Sequence, residues 1–173
     1  LTLTTSTIDV EQPNMNFTLA SGELNASRTP CLMTSFQIAK KIAKAAGNQS
    51  AFNRATQDFK DTVGSTLCVQ MEGPVARLLI IGGTGEASAQ NFAKACNVAA
   101  KTLIKLPIAQ ALVALLDAKV KGKDAAWKAQ TLLQAISHAA YQFSRYKSKP
   151  APAHQLKRVR IQSPAKNRQG VQR

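Results

Sequence analysis

VARLLIIGGTGEAS, from Val75 to Ser88, decides how the rest of the chain is read. The run Leu78 to Ile81 is apolar at every position, which suits a central strand buried on both faces. Gly82-Gly83-Thr84-Gly85 closes that strand. Ser88 can then cap a helix running to about Lys105, with Phe92, Cys96, Ala99 and Leu103 on one stripe. Pro107 forbids continuation, and Leu106 before it is biased to extended geometry. A strand that turns through glycines directly into an amphipathic helix is the repeating unit of an α/β protein.

Downstream, Ala109 to Leu116 (AQALVALL) lies between the Pro107 stop and a turn at Gly122, and is expected to be a strand. Asp124 is placed to cap the clearest helix, running to about Tyr146, with Trp127, Leu133, Ile136, Ala140 and Phe143 at helical spacing. Leu156 to Ile161 (LKRVRI) alternates apolar and basic residues and predicts a last strand near a sheet edge, where exposed charge blunts aggregation.

Upstream, Met15 to Ala20 alternates as a short strand, and Cys31 to Phe36 follows as another, with Pro30 at its start. Gln37 to Ala46 is helical by propensity and stops at Gly47-Asn48. Ser50 can cap a second helix to about Phe59, with Ala51, Ala55 and Phe59 on one face. Thr66 to Met71 is a strand, turned by Glu72-Gly73-Pro74 into Val75 to Ile81. The expected order is β-β-α-α-β-β-α-β-α-β. Helices interleaved with strands imply α/β layers around a mixed, mostly parallel sheet. There is no internal repeat.

At 173 residues, the chain fits one domain plus tails. Residues 1–14 are Thr-rich and polar and predict a disordered leader; 15–161 form the domain; 162–173 read as a linker. The start of the chain lacks the basic and apolar regions of a secretory signal. No apolar run is long enough to span a membrane, and no membrane partner is expected. Three widely spaced cysteines (Cys31, Cys68, Cys96) argue against a disulfide framework and fit a reduced, cytoplasmic setting. Each lies in an apolar run and is expected to behave as a small buried hydrophobe.

The formal net charge is +14, with 23 Lys and Arg against 9 Asp and Glu. It is not spread evenly. Arg145 to Arg173 holds nine basic residues and no acidic one, so the body is only mildly basic. Lys157, Arg158, Arg160, Lys166 and Arg168 are the candidate DNA contacts, because phosphate neutralisation needs only clustered cations. Few aromatic residues lie nearby (Tyr141, Phe143, Tyr146), so a stacking platform is lacking.

Gly82, Gly83 and Gly85 could aim backbone N–H groups at a phosphate between strand and helix, which raises an ADP-ribose or nucleotide reading. The loop lacks the third glycine of the dinucleotide fingerprint and has no Gly-Lys-Ser/Thr, so a tight structural turn is the simpler reading. His138 has no His, Asp or Glu one helical turn away, and His154 lies in the basic segment; neither predicts a metal site. Asp58 and Asp61 share a helix-end face and read as solvated. No catalytic residue is expected in this chain.

Arg77 to Gly85, Val120 to Trp127 and Tyr141 to Pro150, in this order and spacing, resemble the N-terminal domain of the bacterial leucyl aminopeptidase (cytosol aminopeptidase) family. Val63 to Met71 resembles a further strand of that domain, and Met15 falls where those proteins usually begin. The segment after Phe36 is shorter than usual, and GGTGEA replaces the usual form of the glycine loop. The resemblance implies a macro-domain-like three-layer sandwich. It also implies a parent that removes N-terminal residues from peptides with two divalent metals, Zn or Mn, held by a separate peptidase domain of the same chain. No position here matches those metal ligands or the catalytic residues, so no cofactor is expected in this segment. The parent is expected to be a hexamer, with this domain helping its assembly, and some members of the family bind DNA.

Overall fold

The computed structural model describes residues 15–20, 28–145 and 156–162, and of 142–145 the backbone alone. The expected leader (1–14), Lys166, Arg168 and His154 lie outside the described residues.

Eight strands and four helices follow in chain order among the described residues. They are β1 (Asn16–Ala20), β2 (Leu32–Ser35), α1 (Phe36–Ala45), α2 (Gln49–Ala55), β3 (Thr66–Gln70) and β4 (Arg77–Ile81), then β5 (Glu86–Ala87), α3 (Ala89–Ile104), β6 (Gln110–Ala114), β7 (Lys119–Val120), α4 (Ala125–Arg145) and β8 (Arg158–Gln162). The main sheet has six strands in the order β1-β8-β6-β2-β4-β3. Every pair is parallel except β3 with β4. β5 and β7 form a two-residue parallel ladder of their own, which no alternation in the sequence announces.

The central strands β2, β4 and β6 are buried on both faces. On one side Phe92, Cys96, Ala99 and Leu103 of α3 and Leu132 and Ile136 of α4 pack with Met33, Leu79, Val113 and Val159. On the other, Ala39, Ile42 and Phe52 from α1 and α2 pack with Leu32, Leu78, Ile80 and Leu112. Alternate residues of β2, β4 and β6 therefore serve opposite layers, which is why Leu78 to Ile81 is apolar throughout. The result is a three-layer α/β sandwich with a mixed, mostly parallel sheet.

Helix starts follow from local chemistry. Ser88 Oγ accepts from the Asn91 N–H at 3.2 Å, and Asp124 Oδ1 accepts from the Trp127 N–H at 2.9 Å. Each satisfies a donor the helix leaves open. Ser35 does the same for α1, accepting from the Ile38 N–H at 3.4 Å. Phe36 therefore opens a helix instead of closing a strand.

Four expectations are corrected. Ser50 is not the cap of α2: Gly47, at φ 75°, reverses the chain, and the Asn48 carbonyl accepts the first helical bond, from the Phe52 N–H at 2.9 Å. Phe52, not Ala51 and Ala55, is its buried residue, in a helix that starts two residues earlier than expected and ends at Ala55. The buried face of α4 runs through Ala129, Leu132, Ile136, Ala139 and Ala140, with Trp127 and Leu133 only half-buried beside it. β8 lies near a sheet edge as expected, one strand in, between β1 and β6, but it continues through Gln162, past the expected linker boundary.

Candidate functional site

In an open α/β sheet, ligands bind beyond the carboxyl ends of the strands. Here that rim carries Gly82 to Gly85 after β4 and Leu115 to Gly122 after β6. The Gly82 N–H donates to the Ser65 carbonyl at 2.8 Å. The Gly83 N–H donates to Asp61 Oδ1 at 2.8 Å, so a carboxylate already occupies the anion position in front of that amide. Thr84 is buried and its hydroxyl donates to the Ile81 carbonyl at 2.9 Å. The Gly85 carbonyl accepts from the Lys119 N–H at 3.3 Å, tying the loop to β7.

Asp61 was legible only as a solvated partner of Asp58. Both follow the end of α2 at Ala55, and Asp61 reaches across 22 positions of sequence to the glycine loop. The turn from Thr62 to Ser65 packs so closely on Gly82 and Gly83 that a side chain at either would collide with it.

Lys128 is a second feature that the sequence hid. A helical lysine normally reads as solvated, yet its residue is 9% exposed. Its Nζ donates to the Leu116 carbonyl at 2.6 Å and the Ala118 carbonyl at 2.8 Å. It thereby holds the β6–β7 loop onto α4. Burial pushes its pKa below the ordinary lysine value, while Asp117 and Asp124 pull the other way.

The basic candidates divide. Lys157 and Arg158 are exposed, and Arg160 is half-buried with Nη2 donating to the Arg28 carbonyl at 3.1 Å. Val159 and Ile161 turn into the core, so Arg158 and Arg160 share the opposite face of the sheet. There they pair in register with Asn16 and Thr18 of β1, both exposed. His138 is exposed on α4.

Among the described residues, no three His, Cys, Asp or Glu side chains come together as a metal site. The donors present do not fit the two-metal centre that the sequence resemblance places on a peptidase domain. Among the described residues, no helix is long and apolar enough to cross a membrane.

Cys31 and Cys96 are buried, and burial pushes both thiols up to about 12. Cys68 is exposed on edge strand β3, against the expectation that it is buried. Its pKa is raised by desolvation and pulled back by Arg77. A thiolate is the reactive form, so the native protein should release one thiol equivalent to a disulfide reagent at about pH 8, and all three after denaturation. Rapid labelling of Cys31 or Cys96 in the native state would contradict the packing.

The strand order and the helix layers define the class: a macrodomain-like α/β sandwich. The macrodomain of Mycobacterium tuberculosis DarG superposes with a TM-score of 0.60 at 15% identity, covering 88% of this chain and 100% of that one. A mutant of tomato leucine aminopeptidase superposes with a TM-score of 0.66 at 10% identity, covering 93% of this chain but 35% of that one. Those identities speak for the fold alone.

Sequence narrows the class. The model of the cytosol aminopeptidase family N-terminal domain matches residues 34–150. A cytosol aminopeptidase of Pseudomonas aeruginosa is 32% identical over 127 residues, which cover 71% of this chain and 26% of that protein. A probable cytosol aminopeptidase of Methylobacillus flagellatus is 28% identical over 151 residues, covering 79% of this chain and 30% of the relative. The chain belongs to the cytosol aminopeptidase family, as its N-terminal domain. It spans less than a third of the length of these curated relatives.

Proposed function

We propose that this chain is the non-catalytic N-terminal domain of a cytoplasmic aminopeptidase. It packs against a peptidase domain of the same parent chain and supports assembly of the parent into a hexamer. The parent's two divalent metals, Zn or Mn, and its hydrolysis of N-terminal residues belong to that other domain. The single observation that carries this reading is the family match over residues 34–150, set beside relatives of which the match covers less than a third. Purified chain should show no turnover of leucine-p-nitroanilide with Mn²⁺ or Zn²⁺. Robust metal-dependent hydrolysis by homogeneous material would overturn the non-catalytic assignment.

A second reading, DNA binding through the C-terminal segment, is favoured by one feature: Lys157 and Arg158 are exposed beside the polar strip of β1. Changing Lys157, Arg158 and Arg160 together to Ala should weaken duplex binding about tenfold or more at low salt and flatten its salt dependence. No binding by the unaltered chain at about 50 mM salt would remove the reading. The nucleotide reading of Gly82, Gly83 and Gly85 has weaker support, because Asp61 already accepts from the Gly83 N–H. Calorimetry with ADP-ribose and NAD tests it, and silence at millimolar ligand leaves the loop structural.

A further inference from the structure

α3 and α4 lie side by side over one sheet face, and a cavity of about 370 Å³ opens between them. Its apolar floor is Ile104 from α3 and Ala135 and Ala139 from α4, all buried. Lys101, Lys105 and His138 stand exposed around the rim. Asn97 adds a side-chain amide at one end.

Neither helix carries an acidic residue: α3 reads AQNFAKACNVAAKTLI and α4 reads AAWKAQTLLQAISHAAYQFSR. Glu86 and Asp124, the acids nearest in sequence, precede the N-termini of α3 and α4. Lys101 is about four turns of helix beyond Glu86, so that carboxylate cannot neutralise the rim. Lysines at the end of α3 do complement its macrodipole. That accounts for Lys101 and Lys105, but not for an apolar-floored hollow between them and an imidazole from the second helix. Two like charges one turn apart also repel slightly, which a bound anion relieves.

We propose that this groove binds a small organic anion, a phosphate or carboxylate on an apolar body. Lys101, Lys105 and the His138 imidazole hold the charged group, and Ile104, Ala135 and Ala139 take the apolar part. The size suits such a ligand, since small-molecule sites start at about 300 Å³. A partner helix would need anchors over several turns, whereas the α4 side of the floor spans little more than one turn, from Ala135 to Ala139.

Titration of the ¹⁵N-labelled 173-residue chain with phenyl phosphate and with benzoate tests this. Phenol supplies the apolar body alone, and inorganic phosphate the charge alone. At least one of the two organic anions should shift the amides of Asn97, Lys101, Lys105, His138 and Ala139. It should bind about tenfold more tightly than phenol or inorganic phosphate. Changing Lys101 and Lys105 together to Gln should lower that affinity about tenfold while the melting temperature falls by no more than about 4 °C, because both side chains are exposed and only their helix-end charge is lost. Whichever anion binds better identifies the headgroup. Several outcomes would overturn the proposal: no shift from either anion at about 5 mM, equal binding by inorganic phosphate, shifts centred elsewhere, or protection of the same amides by self-association without any ligand.

Discussion

Gly83→Ala is expected to destabilise the domain by about 3 kcal/mol, lowering its melting temperature by about 10 °C. Two costs combine. Gly83 has φ 75°, a left-handed conformation that costs an L-residue about 1–2 kcal/mol. The new Cβ would also lie 2.6 Å from Val63 Cγ2 and 2.7 Å from the Val63 backbone nitrogen. Overpacking against backbone typically adds about 1–3 kcal/mol. Gly82→Ala should act the same way, because its Cβ would press on the Thr62 carbonyl oxygen. Thermal unfolding measures both. The two glycines are then explained by close approach of the Thr62–Ser65 turn, with no need for a phosphate. An alanine variant as stable as the parent would show that the turn does not dock as described.

Lys128→Met is expected to cost about 2–3 kcal/mol, with the apolar stem retained. The loss comes from the Leu116 and Ala118 carbonyls, which would be left without the amine that now bonds both. Unsatisfied buried acceptors cost about 1–3 kcal/mol. Leu115 and Leu116 are each 1% exposed, so water cannot replace the amine without opening the loop. The pH dependence has a definite sign. Burial lowers the folded-state pKa of Lys128 below its unfolded value, so the unfolded chain binds more protons between the two values. The Lys128 contribution to stability should rise as pH climbs from the folded value toward the ordinary lysine range, against the fall that the raised Cys31 and Cys96 thiols impose on both proteins. Lys128→Met should lack that rise. Urea unfolding of both proteins between neutral and alkaline pH reads both effects; identical curves would contradict the buried amine.

The order of elements was legible because each long element carries its own period. Ser88 and Asp124 were legible as caps because the requirement for an N-cap acceptor is local. Helix faces were less secure. The start of α2 moved two residues, with Phe52 buried in place of Ala51 and Ala55, and α4 turned so that Trp127 came to its flank. The place of β8 was legible only as near an edge, not as the strand between β1 and β6. Alternating arginines suit an edge strand, but they suit equally an interior strand with one solvent-facing side, which is the side that Arg158 and Arg160 occupy. The site features depend on still longer reach. Asp61 meets Gly83 only once β3 and β4 have paired, and Lys128 is buried by a loop that precedes its own helix. The groove between α3 and α4 needs both helices in place before Lys105 and His138 share a rim.

The family assignment carries a consequence beyond Arg173 that one measurement addresses directly: sequencing the coding region downstream of that codon. The expected result is an uninterrupted frame leading into a peptidase domain that bears Lys, Asp and Glu metal ligands. A frame that leads into an unrelated domain, or that ends at once, would contradict the proposal that this domain serves an aminopeptidase of the same chain.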